Sequence, residues 1–207
     1  ADYRNWALGF SVLFLSRILG LQYFMNDIDD TTIASRSRKH LVYNTIPFLA
    51  CFLTFLISLL FANGWAVDPT TGVISVEPFK YLHNLLAIPV IAAMLLVGVL
   101  AVLWGIGTGI FKGSRKSIWF SGGGAVLTML SLLLLAGFNN TAYYPSLSDM
   151  QSSLTIYNSS SSLFTLEAMS IVSIFIPFVV AYIWYSWRAM NRKPITRQEI
   201  ESDDHLY

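Results

Sequence analysis

Cysteine is nearly missing from this chain: Cys51 stands alone, inside an apolar run. An intrachain disulfide and a cysteine-built metal site are therefore excluded. Charge is scarce too, at 12% of residues, where ordinary soluble domains carry about 25%. The net charge of +1 is made of segregated groups, and no basic patch of the kind that binds nucleic acid is present. Aspartate is absent from every long apolar run, and the three histidines are scattered at His40, His83 and His205. A membrane proton wire needs buried Asp, Glu or His, so these runs are poor material for one. Lysine and arginine are missing from the whole stretch between Phe138 and Glu167.

What is present is apolar. The chain of 207 residues is 55% hydrophobic, with a mean hydropathy of +0.57. No soluble core of this length absorbs so much apolar surface, so the class is a polytopic, all-α integral membrane protein. Five spans are expected, at about 6–25, 44–63, 82–111, 117–138 and 166–190. They suggest a four-helix bundle plus one peripheral helix in a single domain over 1–207, with 191–207 as a tail. Pro47 is read in the first turn of the second span and Gly64 as its terminator. Pro89 is expected to kink the third span, and Val73-Ile-Ser-Val76 could form a short strand or hairpin arm. Thr165 is read as the N-cap of the fifth span, with Glu167 complementing the helix dipole. Thr196-Arg-Gln-Glu199 has capping-box spacing, so a short interfacial helix is expected over about 197–204.

The cations are sorted between alternate connections. Arg36, Arg38 and Lys39 follow the first span, Lys112, Arg115 and Lys116 the third, and Arg188, Arg192, Lys193 and Arg197 the fifth. The connections after the second and fourth spans have none until Lys80. By the positive-inside rule the N-terminus lies outside and the C-terminus in the cytoplasm. Trp6, Trp65, Tyr81, Trp119, Trp184, Tyr185 and Trp187 fall near predicted span ends, as an aromatic belt does.

Few residues offer chemistry. Arg17 is the one formal charge well inside a predicted span, so it either pairs with a carboxylate from outside this chain or snorkels to headgroups. His83 lies near the outer end of the third span without a second histidine at its depth, which makes haem ligation a weak reading. Met94 and Met129 read as apolar filler, and the serines and threonines of the spans as helix glue. Asn139-Asn-Thr-Ala-Tyr-Tyr-Pro145 holds neutral hydrogen-bonding groups but no base, nucleophile or metal set. Asn139, Asn140, Tyr143, Tyr144, Pro145, Ser161 and Ser162 are thus candidates for pinning an outer loop or contacting a partner, not for catalysis. The sequons at Asn139 and Asn158 are too short a pattern to weigh.

These same pieces carry a resemblance. Phe138-Asn-Asn-Thr-Ala-Tyr-Tyr-Pro145, Ser153-Leu-Thr-Ile-Tyr-Asn158, Ser161-Ser-x-x-Thr-Leu166 and Glu201 to Tyr207 resemble subunit II of the cytochrome bd quinol oxidases. The likeness extends back through Arg17-Ile-Leu-Gly20 and the stretch from Phe24 to Asp30. It implies an oxidase complex that oxidises a quinol and reduces dioxygen to water. Haems b558, b595 and d would lie in subunit I, the partner, and a quinone can be held in subunit II as a structural element. It also implies a longer subunit of two four-helix bundles and a last helix. The chain begins at Ala1 without a methionine or a signal peptide, and reads as the C-terminal half of that subunit, with the N-terminal half and membrane lipid as further partners. The expected role is scaffolding of the haem-bearing subunit, with no catalytic residue, cofactor ligand or metal site in this chain. The competing expectation is a small transporter or channel subunit, for which Pro89 and Pro177 would mark broken helices.

Overall fold

The computed structural model describes residues 2–190, so the predicted tail helix over 197–204 lies outside the described residues. Five helical segments are long and apolar enough to cross a membrane. The first, α1 (Tyr3–Asp27), opens on Asp2, whose carboxylate accepts from the Arg4 amide. The second, α2 (Thr31–Leu60), begins far earlier than hydropathy suggests. Asp30 caps it by accepting from Thr32 N and Ile33 N at 2.7 and 2.9 Å. The stretch read as a polar loop is therefore mostly helix, and Pro47 sits in the helix interior rather than its first turn. Hydropathy marks where lipid begins; the side-chain cap marks where the helix begins.

Gly64 does not end α2, which is capped at Phe61. It starts β1 (Gly64–Val67), which pairs antiparallel with β2 (Ile74–Glu77), joining Gly64 to Glu77 and Val67 to Ile74. The strand left open in the sequence is thus one arm of a hairpin. Its loop closes on Gly72, in the left-handed region at φ 71°. The third predicted span is two helices: α3 (Lys80–Ala87) and α4 (Pro89–Lys112). Pro89 breaks the chain rather than kinking it, and then occupies the first position of α4, where no N–H is missed. Gly113, at φ 58°, ends α4 in the left-handed conformation that glycine supplies. After α5 (Ser117–Gly137) comes an irregular connection holding a one-turn helix, α6 (Ile156–Ser159).

The last span is α7 (Leu163–Ser173) and α8 (Ile176–Met190), interrupted at Ile174 and Phe175. Its N-cap is Ser162, not Thr165: Ser162 Oγ accepts from the Thr165 amide at 3.4 Å. Glu167 consequently lies beyond the first turn and does not complement the dipole there. None of this span is buried against the rest of the chain, while α1, α2, α4 and α5 form the bundle.

The bundle is two antiparallel hairpins, α1–α2 and α4–α5. Buried positions of α4 run Ile91, Leu95, Gly98, Val102, Gly105 and Gly109; those of α5 run Ser117, Ser121, Gly124, Thr128, Ser131 and Leu135. Both follow alternate steps of four and three, the coiled-coil seam. Small residues let the two backbones approach, as membrane helices require where apolar burial gives no drive. A Cβ on Gly124 would sit 2.7 Å from Gly98 O and Val102 N. Ile18, Leu41, Phe48, Phe52, Val102 and Ile106 pack the hairpins against each other.

The seam predicts a contrast between neighbouring glycines. A Cβ on Gly105 would lie 2.6 Å from Ser121 N, whereas one on Gly107 meets nothing within 4 Å. Gly105→Ala should destabilise by about 1–3 kcal/mol through overpacking. Gly107→Ala should be neutral or slightly stabilising, read as thermal melting in detergent.

Candidate functional site

The conspicuous polar structure is a cap at one end of the bundle, built from the β1–β2 hairpin, α3 and the connection after α5. Its centre is Asn84, fully buried on α3. Asn84 Nδ2 donates to Thr141 Oγ1 at 2.8 Å and to Leu135 O at 3.1 Å, and its Oδ1 accepts from Asn139 Nδ2 at 3.0 Å. One amide thereby ties α3, the end of α5 and the Asn139–Thr141 turn. Asn139 and Asn140 both adopt left-handed backbone, φ 56° and 53°. Asparagine tolerates that region better than other residues with a Cβ. The double turn places Asn140 O to accept from Val67 N at 2.8 Å and Ala142 N to donate to Trp65 O at 2.9 Å. The motif thus makes a single antiparallel bridge to β1, pairing Thr141 with Ala66.

Gln151 clamps the other arm. Its Oε1 accepts from Ile74 N at 2.9 Å and its Nε2 donates to Ile74 O at 2.8 Å, imitating a strand partner. Tyr143 OH donates to Ser159 Oγ at 2.9 Å, and Tyr144 pairs through its backbone with Leu154. Thr155 and Asn158 close α6 with a reciprocal capping box. Between hairpin and connection lies a cleft of about 420 Å³ edged by Asp68, Asn139, Asn140, Gln151 and Asn158. The side chain of Tyr144 stays 68% exposed and Pro145 is half-buried, so the cap's outer surface remains available for contact.

Of the candidates, Asn139, Asn140, Tyr143, Tyr144 and Pro145 fall together in this cap. Ser162 is the helix N-cap beside it, and Ser161 is exposed without a hydrogen bond among the described residues. Arg17 lies elsewhere, at the opposite end, in a groove of about 380 Å³ shared with Gly20, Leu21, Phe24, His40 and Asn44. Sequence reading missed Asn84 and Gln151. The signal for Asn84 was a lone amide just inside the start of the third apolar run.

Electrostatics in the cap centre on Glu77. It accepts from His83 Nδ1 and from Lys80 Nζ, at 2.8 and 2.9 Å. The His83 hydrogen bond first, and Lys80 second, hold its carboxyl below the usual range. His83 therefore faces a carboxylate outside the bundle, with its side chain 53% exposed. In the hairpin loop, hydrogen bonds from Thr70 and Thr71 hold the Asp68 carboxyl at about 2. Among the described residues no three His, Cys, Asp or Glu side chains gather to bind a metal.

At mid-depth, an apolar cavity of about 330 Å³ opens between the hairpins, lined by Ser11, Phe48, Phe52, Val102, Thr128 and Leu132 among others. The opposite end is basic. Arg115 pairs with Asp29, and Arg38 donates to the Ile110 and Phe111 carbonyls, so the α1–α2 and α4–α5 turns are tied at one level.

Two outcomes follow for the cap. Asn84→Ala strands Thr141 and Asn139 and should cost about 1–3 kcal/mol, against less than about 0.5 for exposed Ser161→Ala, both read as melting shifts. The depressed carboxyls also give a pH dependence. A folded-state value below the unfolded one contributes stability above the unfolded value, near 4, and loses it as pH falls through the folded one. Hydrogen-exchange protection factors across 64–77, corrected for the intrinsic pH dependence of amide exchange, should therefore be unchanged from pH 7 to about 5 and fall below about 4. A loop that loosens on raising the pH would contradict this.

Comparison with known proteins assigns a family. The family model described as cytochrome bd terminal oxidase subunit II matches residues 2–190. No curated protein matches the chain.

Proposed function

We propose, for a chain that belongs to the cytochrome bd terminal oxidase subunit II family, the role of non-haem scaffold in a quinol-oxidising, dioxygen-reducing complex. It is a subunit of a multi-pass membrane oxidase. In the proposed division of labour, haems b558, b595 and d belong to subunit I, and this chain holds that subunit in place together with the other half of subunit II. The supporting observation is the character of the buried polar groups. Asn84, Thr141 and Ser131 are neutral groups that hydrogen-bond within the chain, suited to fixing positions rather than carrying electrons or protons.

The histidines are poorly placed to ligate haem. A haem needs an axial His, Met, Cys or Tyr presented inside a bundle. His83 is turned to Glu77 outside the bundle and His40 is exposed at the basic end. The apolar cavity between the hairpins suits a different guest, the ring and tail of a quinone held as a structural element. Ser11 and Thr128 are its polar lining residues. The basic end faces the cytoplasm and the cap faces the outside of the bacterial inner membrane, because lysine and arginine are retained on the inner side.

The test is spectroscopic and topological. An affinity tag on this chain should bring down haem b and haem d from native membranes. Separation from its partner should then leave this chain without a Soret band. Cysteines placed at exposed Leu147 and at Lys116 should label from outside and inside respectively. A Soret band retained by the separated chain would overturn the scaffold reading; both cysteines labelling from one side would overturn the topology.

A further inference from the structure

We infer that the groove between α1 and α2 at the basic end is a binding site for the headgroup phosphate of an anionic phospholipid, with Arg17 and His40 as its ligands. The two side chains come from different helices and line the same groove, which Gly20 leaves open. Arg36, one turn before His40 on the same face of α2, and neighbouring Lys39 are both exposed. Arg17 and His40 thus line the groove, with Arg36 and Lys39 close by in sequence on α2, and none of the four has an ion-pair partner among the described residues.

The local carboxylates are engaged elsewhere. Asp29 pairs with Arg115, Asp27 accepts from Asn26 Nδ2 at 2.8 Å, and Asp30 caps α2. None of them lines the groove. Several cations elsewhere do have partners: Arg4 has Asp2, Lys80 has Glu77, and Arg38 has the last carbonyls of α4. Arg17, like Arg36 and Lys39, has no ion-pair partner among the described residues, and it lies deeper than either, level with Asn44. It shares its groove with Asn44, six residues along α2 from Arg38, or about 9 Å further from the basic end. An arginine at that depth reaches the headgroup layer along its own stem, and there a phosphate offers its forked guanidinium two acceptors.

Depth and polarity select the occupant. From Leu41 onward α2 is apolar for about 30 Å, the thickness of a hydrocarbon core, so His40 marks the headgroup boundary. On α1, Leu13 and Phe10 lie one and two turns from Arg17 on the same face and are exposed. A phosphate at Arg17 and His40 with an acyl chain along Leu13 and Phe10 matches both halves of this surface. A soluble anion matches only the first.

The test uses the intact oxidase complex purified from native membranes. Native mass spectrometry should count bound phosphatidylglycerol on wild type and on Arg17→Gln, His40→Gln, the double variant and Arg17→Lys. Retention should fall roughly tenfold in the double variant, as expected for loss of charge-assisted contacts, and partly recover with lysine. Wild-type complex should also melt higher in nanodiscs containing phosphatidylglycerol than in phosphatidylcholine alone, and the double variant should lose that difference. Unchanged retention in the double variant overturns the site. So does displacement by inorganic phosphate, which marks a free-anion site, or dissociation of subunit I on Arg17→Gln with lipid unchanged, which marks a protein carboxylate as the partner.

Discussion

Hydrocarbon offers no hydrogen bond to a peptide group, and every part of this structure answers to that constraint. Within the bundle the backbone satisfies itself by staying helical. The same lipid removes the usual reason for helices to associate, since a leucine is as well solvated by acyl chains as by another leucine. Association then depends on how closely backbones can lie. The α4–α5 seam solves this with Gly98 and Gly105 set against Ser117, Ser121 and Gly124, where space is so short that an added Cβ would overlap main chain. Irregular backbone is confined to the two ends. There it must find partners, and the two ends find them differently.

At the cap most of the partners are neutral, Glu77 with Lys80 and His83 being the charged set. Asn84 uses both sides of its amide, Gln151 reads both backbone groups of Ile74, and two left-handed asparagines bring Thr141 into a bridge with the hairpin. The basic end is joined by charge instead, through Arg115 with Asp29 and Arg38 with the open carbonyls at the end of α4. Cations near a helix C-terminus also meet the negative end of its dipole. The difference follows the sorting of lysine and arginine. Where cations are withheld, amides and hydroxyls must do the fastening.

Long-period features were legible in the sequence, and short-range geometry was not. Five spans and their alternation of basic and non-basic connections follow from hydropathy and charge, because those quantities average over twenty residues. The start of α2 was missed because Asp30 makes a helix of residues that look like a polar loop. Ser162 and Thr165 are chemically interchangeable as caps, so only backbone position distinguishes them. The Asn139–Tyr144 stretch was legible as a fastener by its composition, but its anchor, Asn84, lies fifty-five residues away from Asn139, and no periodicity connects them. Arg17 was legible as an anomaly. Its neighbour His40 was not, since that pairing requires the register of α1 on α2.

The bundle is best understood as two stiff hairpins clamped at both ends around a compliant middle. Each hairpin is held along its length, by close backbone approach in α4–α5 and by interlocked side chains in α1–α2. Between hairpins, Ile18, Leu41, Phe52 and Val102 fill the basic half, while a void of about 330 Å³ remains further along. Fully buried Gln22, whose amide has no partner among the described residues, lies close to Gly109 and Ser117 where the hairpins converge. An unpaired amide and an apolar void are both costs that tight packing would remove. They are tolerated because the end fastenings, not the middle, set the relation of the hairpins. A protein arranged this way can admit an apolar guest between its hairpins without disturbing the faces it presents to a partner.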